Sequence, residues 1–488
     1  MDEATSGEPV GSGALAAAGA PETARYEQDL SRSIGILGNV FITLSGVTPA
    51  SSVFIIVPVA LVAAGSGSFL AFVFAAIVGV FMAFCWGELS AAFPIAAGDY
   101  ALVWHSFKGR TSWLAGPVSF VTFALYVDFI AFIPAVIALG TGTYLAVIWN
   151  VNIKVIGAIV MLVAAGIAIL NIRLNAVITG FFLAIELAAL AVVTVLGIIN
   201  AKNWSSLLHP VVGNAHGGLT SVPFTAVLAL TAVAVFSYNG YANAVNFSEE
   251  TTGSSRRIAR AILWALVITV AAELIPLTAV LVGSPSIAKL STSAVPMQYF
   301  IEATSNKTVY TIVSLGVVIA ILNAVIAIIL SYGRIFFSSG RDRAWPGPVN
   351  GWMTLRSQFR SPWFATAVVG ILGAILCLTV SLNTLVNLTG ASLVADYALI
   401  AIAALFARPT GATAHSPYKM PLWPLPPILA LVSLGYIFTK QTSLLLWVTL
   451  ITIGIGLLYW LVVIFPQRGR AWNLREAAVD ESAATQDG

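Results

Sequence analysis

The chain has 488 residues, of which 59 % are hydrophobic and only 9 % charged, and its formal net charge is +3. Ordinary soluble domains carry about 25 % charged residues, so a soluble assembly is excluded: its water-facing surface could not be covered. The mean hydropathy of +0.94 comes in long uninterrupted apolar stretches such as 153–170 and 443–465, without the polar–apolar alternation of an outer-membrane barrel.

Stretches of about 20 apolar residues cross a hydrocarbon core of about 30 Å as helices. By that criterion the sequence predicts an all-α polytopic membrane protein with about twelve transmembrane helices. The Ala-, Gly- and Glu-rich residues 1–33 read as a disordered cytoplasmic tail without a signal-peptide pattern. The first six spans are expected at 34–65, 68–93, 112–149, 153–170, 174–199 and 223–249, and the third is long enough to be tilted. The second six fall at 258–283, 309–338, 362–380, 385–407, 422–439 and 443–465. Residues 34–407 form the core, in halves 34–199 and 223–407; helices eleven and twelve occupy 422–465, and 466–488 is a second cytoplasmic tail. Cys85 and Cys377 lie in apolar stretches away from any CxxC or His-rich context, and read as two buried thiols. No metal or cofactor is expected, and no basic run interleaved with aromatics suggests nucleic acid.

An even number of spans puts both termini on one side. With the N-terminus inside, the outer loops hold only Lys154, Lys202, Lys289, Lys307 and Lys440, five of the 23 basic residues. The other 18 lie inside or at inner helix ends, among them Lys108, Arg110, Arg173, the Arg256/Arg257/Arg260 group, Arg341, Arg343, Arg356, Arg360, Arg468 and Arg470. That asymmetry predicts cytoplasmic N- and C-termini in the cytoplasmic membrane. Trp363, Trp423, Trp447 and Trp472 read as interfacial anchors.

Two spans carry helix-breaking sequence in mid-membrane. In the first, Gly46-Val47-Thr48-Pro49-Ala50-Ser51-Ser52 interrupts an apolar run. Pro49 lacks an N–H and pushes Thr48 out of the helical region. The same residues read as a fresh helix start with Thr48 as N-cap and Pro49 at the first helical position. The N–H groups of Ala50, Ser51 and Ser52 would then face whatever occupies the break, a setting suited to a carboxylate. In the sixth span, Phe236-Ser237-Tyr238-Asn239-Gly240-Tyr241 breaks on an Asn-Gly pair. Each alone is compatible with a kink; breaks at matching places in two halves point to an inverted repeat with a midplane site.

With these breaks in place, the chain resembles the amino acid–polyamine–organocation superfamily of secondary transporters, with the leucine-transporter-like fold. Glu88-Leu89-Ser90-Ala91-Ala92-Phe93-Pro94, followed by Gly98-Asp99-Tyr100, is similar to that superfamily's segment after span two. Asn171-Ile172-Arg173 resembles its opening of span five, and Phe247-Ser248-Glu249-Glu250 before Arg256 its acidic-then-basic loop after span six. Ser331, Arg334, Arg341-Asp342 and Pro346 match its segment after span eight. The resemblance implies a 5+5 inverted repeat with helices one and six broken. It also implies alternating access, with spans one, two, six and seven rocking against three, four, five, eight and nine. Two departures stand out. The usual Gly-[Ser/Thr]-Gly of the first break falls on Ala50-Ser51-Ser52, and the paired glycines after span two read Ala97-Gly98. Side chains in place of glycine crowd the backbone that would approach a substrate carboxylate and leave room for a substrate bound differently.

Ionisable groups in a span need a partner or a cavity. Here they are acids, Asp128, Glu186, Glu273 and Asp396, with no Lys or Arg in mid-span to pair with them. Such acids can exchange protons near neutrality or await a cation from outside. By the resemblance, Glu186 falls where proton-coupled or sodium-independent relatives carry a lysine, and is assigned the proton-coupling role; the alternative is a hydrogen bond to a neighbouring helix. Span eight offers Ser314 and Asn323 but no adjacent Ser/Thr pair for sodium, so a proton is favoured. Asp128 lies about a dozen residues into span three and could meet a substrate amine, or make a structural hydrogen bond. Glu273 and Asp396 are read as structural or gating, and Glu88, Glu249 and Glu250 as partners of inner-loop arginines.

The function so implied is secondary active transport of an amino acid or related amine, with proton and lipid bilayer as the other partners. The substrate would lie between Thr48, Ala50, Ser51 and Ser52 on one side and Phe236, Ser237, Tyr238, Asn239 and Gly240 on the other, with Asp128 nearby. The acid-rich interior favours a cationic substrate. An amine exchanger of the same fold is the alternative, with a sodium-coupled carrier or a channel behind it. An enzyme is not expected: His105, His209, His216 and His415 lie in predicted loops, and no HExxH or GxSxG occurs.

Overall fold

Backbone N–H and C=O groups find no water in a bilayer, so a chain this apolar must satisfy them within helices. In the computed structural model the described residues are 35–95, 98–169, 172–214, 216–250, 255–356, 361–472 and 474. The N-terminal tail, the C-terminal tail from residue 475, Ala97 and Asn171 lie outside the described residues. Among the described residues, nine helices are long and apolar enough to cross a membrane, counting Ile36–Ala64 as one. Three shorter apolar helices, Ile153–Ile169, Trp363–Thr379 and Leu425–Thr439, supply spans four, nine and eleven. The third span is one 38-residue helix, Ser112–Trp149, and continues through Pro117 and Pro134.

The packing of the first ten spans repeats with a shift of five. Span one packs on seven, as six packs on two; span three packs on ten, as eight packs on five. Spans three and four pair as eight and nine do, and two meets seven as four meets nine. Shifted by five, each of these contacts falls on another of them or, for two with seven and four with nine, on itself, the pattern an inverted repeat requires. Spans eleven and twelve attach outside this unit, eleven on ten and two, twelve on three and ten. Span twelve turns Ile451, Ile455, Leu458, Leu461 and Val462 outward, an apolar face suited to the hydrocarbon of a membrane.

Connections add features beyond all-α. A hairpin, β1 (Val211–Gly213) paired antiparallel with β2 (Leu219–Ser221), joins spans five and six. It is tied to the turn between spans one and two, where the Ser66 N–H donates to Val211 O at 2.9 Å and the Val211 N–H to Ser66 Oγ at 2.9 Å. His105 lies within the short helix Asp99–Ser106, not in a loop. Trp472 is not an interfacial anchor: it is 2 % exposed, inserted against Tyr100 and Phe120, and its indole N–H donates to Ser119 Oγ at 2.8 Å. Trp447, by contrast, is 65 % exposed. Glu88 pairs with Arg408 just beyond span ten, through Nε at 2.8 Å and a second guanidinium nitrogen at 2.7 Å. Thr413 Oγ1 and the Met420 N–H also donate to its carboxylate.

Candidate functional site

The first span stops where its sequence dictates. Ile36–Val47 is helical, and the Thr48 N–H closes the last turn onto Leu44 O at 3.0 Å. Thr48 itself adopts φ 54° and ψ 66°, left-handed backbone that a β-branched residue seldom takes. A new helical segment starts at Pro49, passes through a wide turn at Ser52–Ile56 and continues as Val57–Ala64. A capping side chain requires an extended N-cap; left-handed Thr48 makes no such bond. The cap is supplied from span five, where Glu186 Oε1 accepts the Ala50 N–H at 3.1 Å. The Ser52 N–H bonds back to Thr48 O at 3.1 Å, so it is not one of the free donors the sequence suggests.

In the sixth span the helix Phe224–Tyr238 ends at Asn239, whose ψ of 147° leaves the helix. Gly240 follows at φ 114° and the chain resumes as a tighter helix, Tyr241–Glu250. Glycine is needed there twice over. A side chain would be strained at that φ, and a Cβ would sit 3.3 Å from Val47 Cα and 3.1 Å from Val47 Cγ2. The two breaks therefore touch. Ser52 Oγ donates to Ser237 O at 3.0 Å, and Ser237 Oγ donates to Glu273 Oε2 of span seven at 2.5 Å. A polar thread thus joins the restarted half of span one to Glu273, while Glu186 caps its first turn. Sequence reasoning leaves Glu273 out of the site; a hydroxyl two residues before the Asn-Gly pair is the only hint of a partner. Thr48, Ala50, Ser51, Ser52, Phe236, Ser237 and Tyr238 are each at most 3 % exposed, closed against one another and their neighbours.

Beside the second break lies a cavity of about 20 Å³. Of the residues expected to hold substrate, only Asn239 lines it; Trp86, Asp99, Tyr126, Tyr332, Asp396 and Tyr397 are among the others. Tyr397 OH donates to Asn239 Oδ1 at 3.1 Å, fastening span ten to the break. Asp99 Oδ1 accepts the Trp86 indole N–H at 2.8 Å. Burial pushes the Asp99 carboxyl up, against the pull of hydrogen bonds from Trp86, Tyr126 and Asp396. In the sequence Asp99 stands only as part of a motif, and an acid beside a span terminus is the signal that could have found it. Asp128 is not brought to the breaks: its Oδ2 accepts Thr452 Oγ1 of span twelve at 2.7 Å, and it does not line the cavity. Among the described residues no group of three or more His, Cys, Asp or Glu is placed to hold a metal ion.

Residues 34–467 match a family model described as amino acid permease. The methylthioribose transporter of Bacillus subtilis is 23 % identical over 83 % of this chain and 88 % of its own length. The branched-chain amino acid permease BcaP of the same organism is 20 % identical over 90 % of this chain and 93 % of its own. An uncharacterized transporter of Mycobacterium tuberculosis is 26 % identical over 77 % and 80 % respectively. In three dimensions the chain is similar to the crystal structure of a mutant manganese transporter from Eremococcus coleocola, with TM-score 0.54 and 13 % identity, over 91 % of this chain and 99 % of the other.

Proposed function

We propose that this chain, which belongs to the amino acid permease family, carries an amino acid or related amine by alternating access and couples that movement to a proton through Glu186. It is a multi-pass membrane protein, and the Lys/Arg asymmetry supports both termini lying in the cytoplasm. The observation that carries the reading is the bond from the Ala50 N–H to Glu186 Oε1. A helix N-terminus in mid-membrane is the natural seat of a substrate carboxylate, and here the protein's own carboxyl occupies it. A proton on Glu186 weakens its hold on that N-terminus and lets a substrate carboxylate take its place. Proton and substrate then bind together, and loss of the proton returns the internal carboxylate and expels the substrate.

The closed packing of Thr48, Ala50, Ser51 and Ser52 against the side of Phe236, Ser237, Tyr238, Asn239 and Gly240 leaves room for substrate only if the half-helices part. The repeat packing supports how: spans one, two, six and seven move against three, four, five, eight and nine. The test is uptake of labelled amino acids by proteoliposomes under an imposed pH gradient. Uptake should follow the inward proton gradient and ignore replacement of sodium by choline. Glu186→Gln, fixed in the uncharged form, should retain exchange of labelled for unlabelled substrate while losing response to the gradient. Uptake that persists unchanged with a protonophore, or a gradient response that survives Glu186→Gln, refutes the coupling.

A further inference from the structure

The acids beside the second break play no part in the proton step assigned to Glu186. Asp99 opens the short helix after span two and Asp396 lies in span ten, and both line the cavity next to Asn239. Asp396 is 1 % exposed; its carboxyl meets that of Asp99, a second acid, and no N–H or hydroxyl donor. The buried Oδ1 of Asn246, on the same cavity wall, is without a partner. No Lys, Arg or His is among the lining residues. Buried acceptors short of donors are costly, and three of them around one space call for donors from outside the protein. The space of about 20 Å³ is close to what one water-sized group needs. A primary ammonium is such a group, with three donors and no acceptor. The rings of Trp86, Tyr126, Tyr332 and Tyr397 complete the wall, and aromatic faces attract cations.

We infer that Asp99, Asp396 and Asn246 hold the ammonium head of the carried molecule, with the remainder running past Asn239 toward the helix breaks. This rests on the transport reading above and narrows its substrate to a primary amine whose charged end leads into the cavity. The three residues stand on different elements, so a bound ammonium draws the short helix after span two, the end of span six and span ten together around it.

The test uses the full chain in lipid nanodiscs, with melting shifts and binding isotherms for two pairs of probes, norleucinol against 1,2-hexanediol and putrescine against 1,4-butanediol. The charged member of at least one pair should stabilise the protein and its neutral counterpart should not. Asp396→Asn should weaken binding of that probe at least tenfold and Asn246→Ala several-fold, while Asp396→Glu keeps part of it. Asp128→Asn, whose carboxyl faces Thr452, should bind as the parent does. Asn246→Ala, a milder change, keeps the question decidable if Asp396→Asn does not fold. The inference is overturned if no amine shifts the protein, if neutral and charged probes bind alike, or if sodium chloride stabilises against choline chloride where the amines do not. It is also overturned if Asp396→Asn binds within twofold of the parent. Counterflow of a labelled amine probe that survives Asp396→Asn removes the ammonium site and leaves transport standing. Probe binding lost in Asp396→Asn, with no counterflow of any probe, supports the site and removes the transport reading.

Discussion

The meeting of the two helix breaks is tested most directly at Gly240. Alanine there must adopt φ 114°, a region costing an L-residue about 1–3 kcal/mol. Its Cβ would also meet Val47 Cγ2 at 3.1 Å and Val47 Cα at 3.3 Å. Overpacking of this kind costs about 1–3 kcal/mol more, since the methyl can swing aside and the backbone cannot. Gly240→Ala should therefore destabilise the protein by about 2–6 kcal/mol. Val47→Ala removes the methyl at 3.1 Å but leaves the close backbone of residue 47 and the strained φ. The double variant should therefore recover about 1 kcal/mol of the loss, a coupling typical of residues that touch. Unfolding can be followed in detergent with a thiol-reactive dye, because Cys85 and Cys377 are both free and buried. The expected record is a melting point several degrees lower for Gly240→Ala, partly restored by Val47→Ala. Strict additivity of the two changes, or a melting point unmoved by Gly240→Ala, would show that the breaks do not touch.

Arg408→Ala should be among the most damaging single changes, because it strands the Glu88 carboxylate, 1 % exposed, and breaking a buried pair costs about 3–5 kcal/mol. Adding Glu88→Gln should return part of that stability in the same dye assay, and a loss that deepens refutes the pairing. Ser237→Ala removes the donor to Glu273 Oε2. With Glu273 Oε1 already unpartnered, the melting curve should register about 1–3 kcal/mol, whereas Ser237→Thr should preserve most of it.

Much of this molecule is legible without coordinates. Composition alone names the solvent, because 9 % charged residues cannot clothe a soluble surface. Span positions follow from the length a helix needs to cross hydrocarbon, and helix Ser112–Trp149 has the bounds expected of the third span. Both breaks are also local facts: Pro49 has no N–H to give, and Asn239-Gly240 leaves the helix without steric cost. Motif order and charge asymmetry likewise sit in the linear sequence.

What fills the breaks is not local. The donors freed at Ala50 invite an anion, but that it is Glu186, 136 residues away, depends on how span five lies against span one. Thr48 has the chemistry of a cap, yet its φ of 54° keeps the hydroxyl from that role, and the packed carboxylate takes it. Asp128 and Asp396 look alike as lone acids in apolar spans. A helix presents its residues around a full turn, so only the neighbours decide that one meets Thr452 at 2.7 Å and the other meets a second acid, Asp99. The sequence determined where the backbone would open; the tertiary structure decided which side chains close it, because hydrogen bonds across a bundle depend on helix rotation and register that no single span encodes.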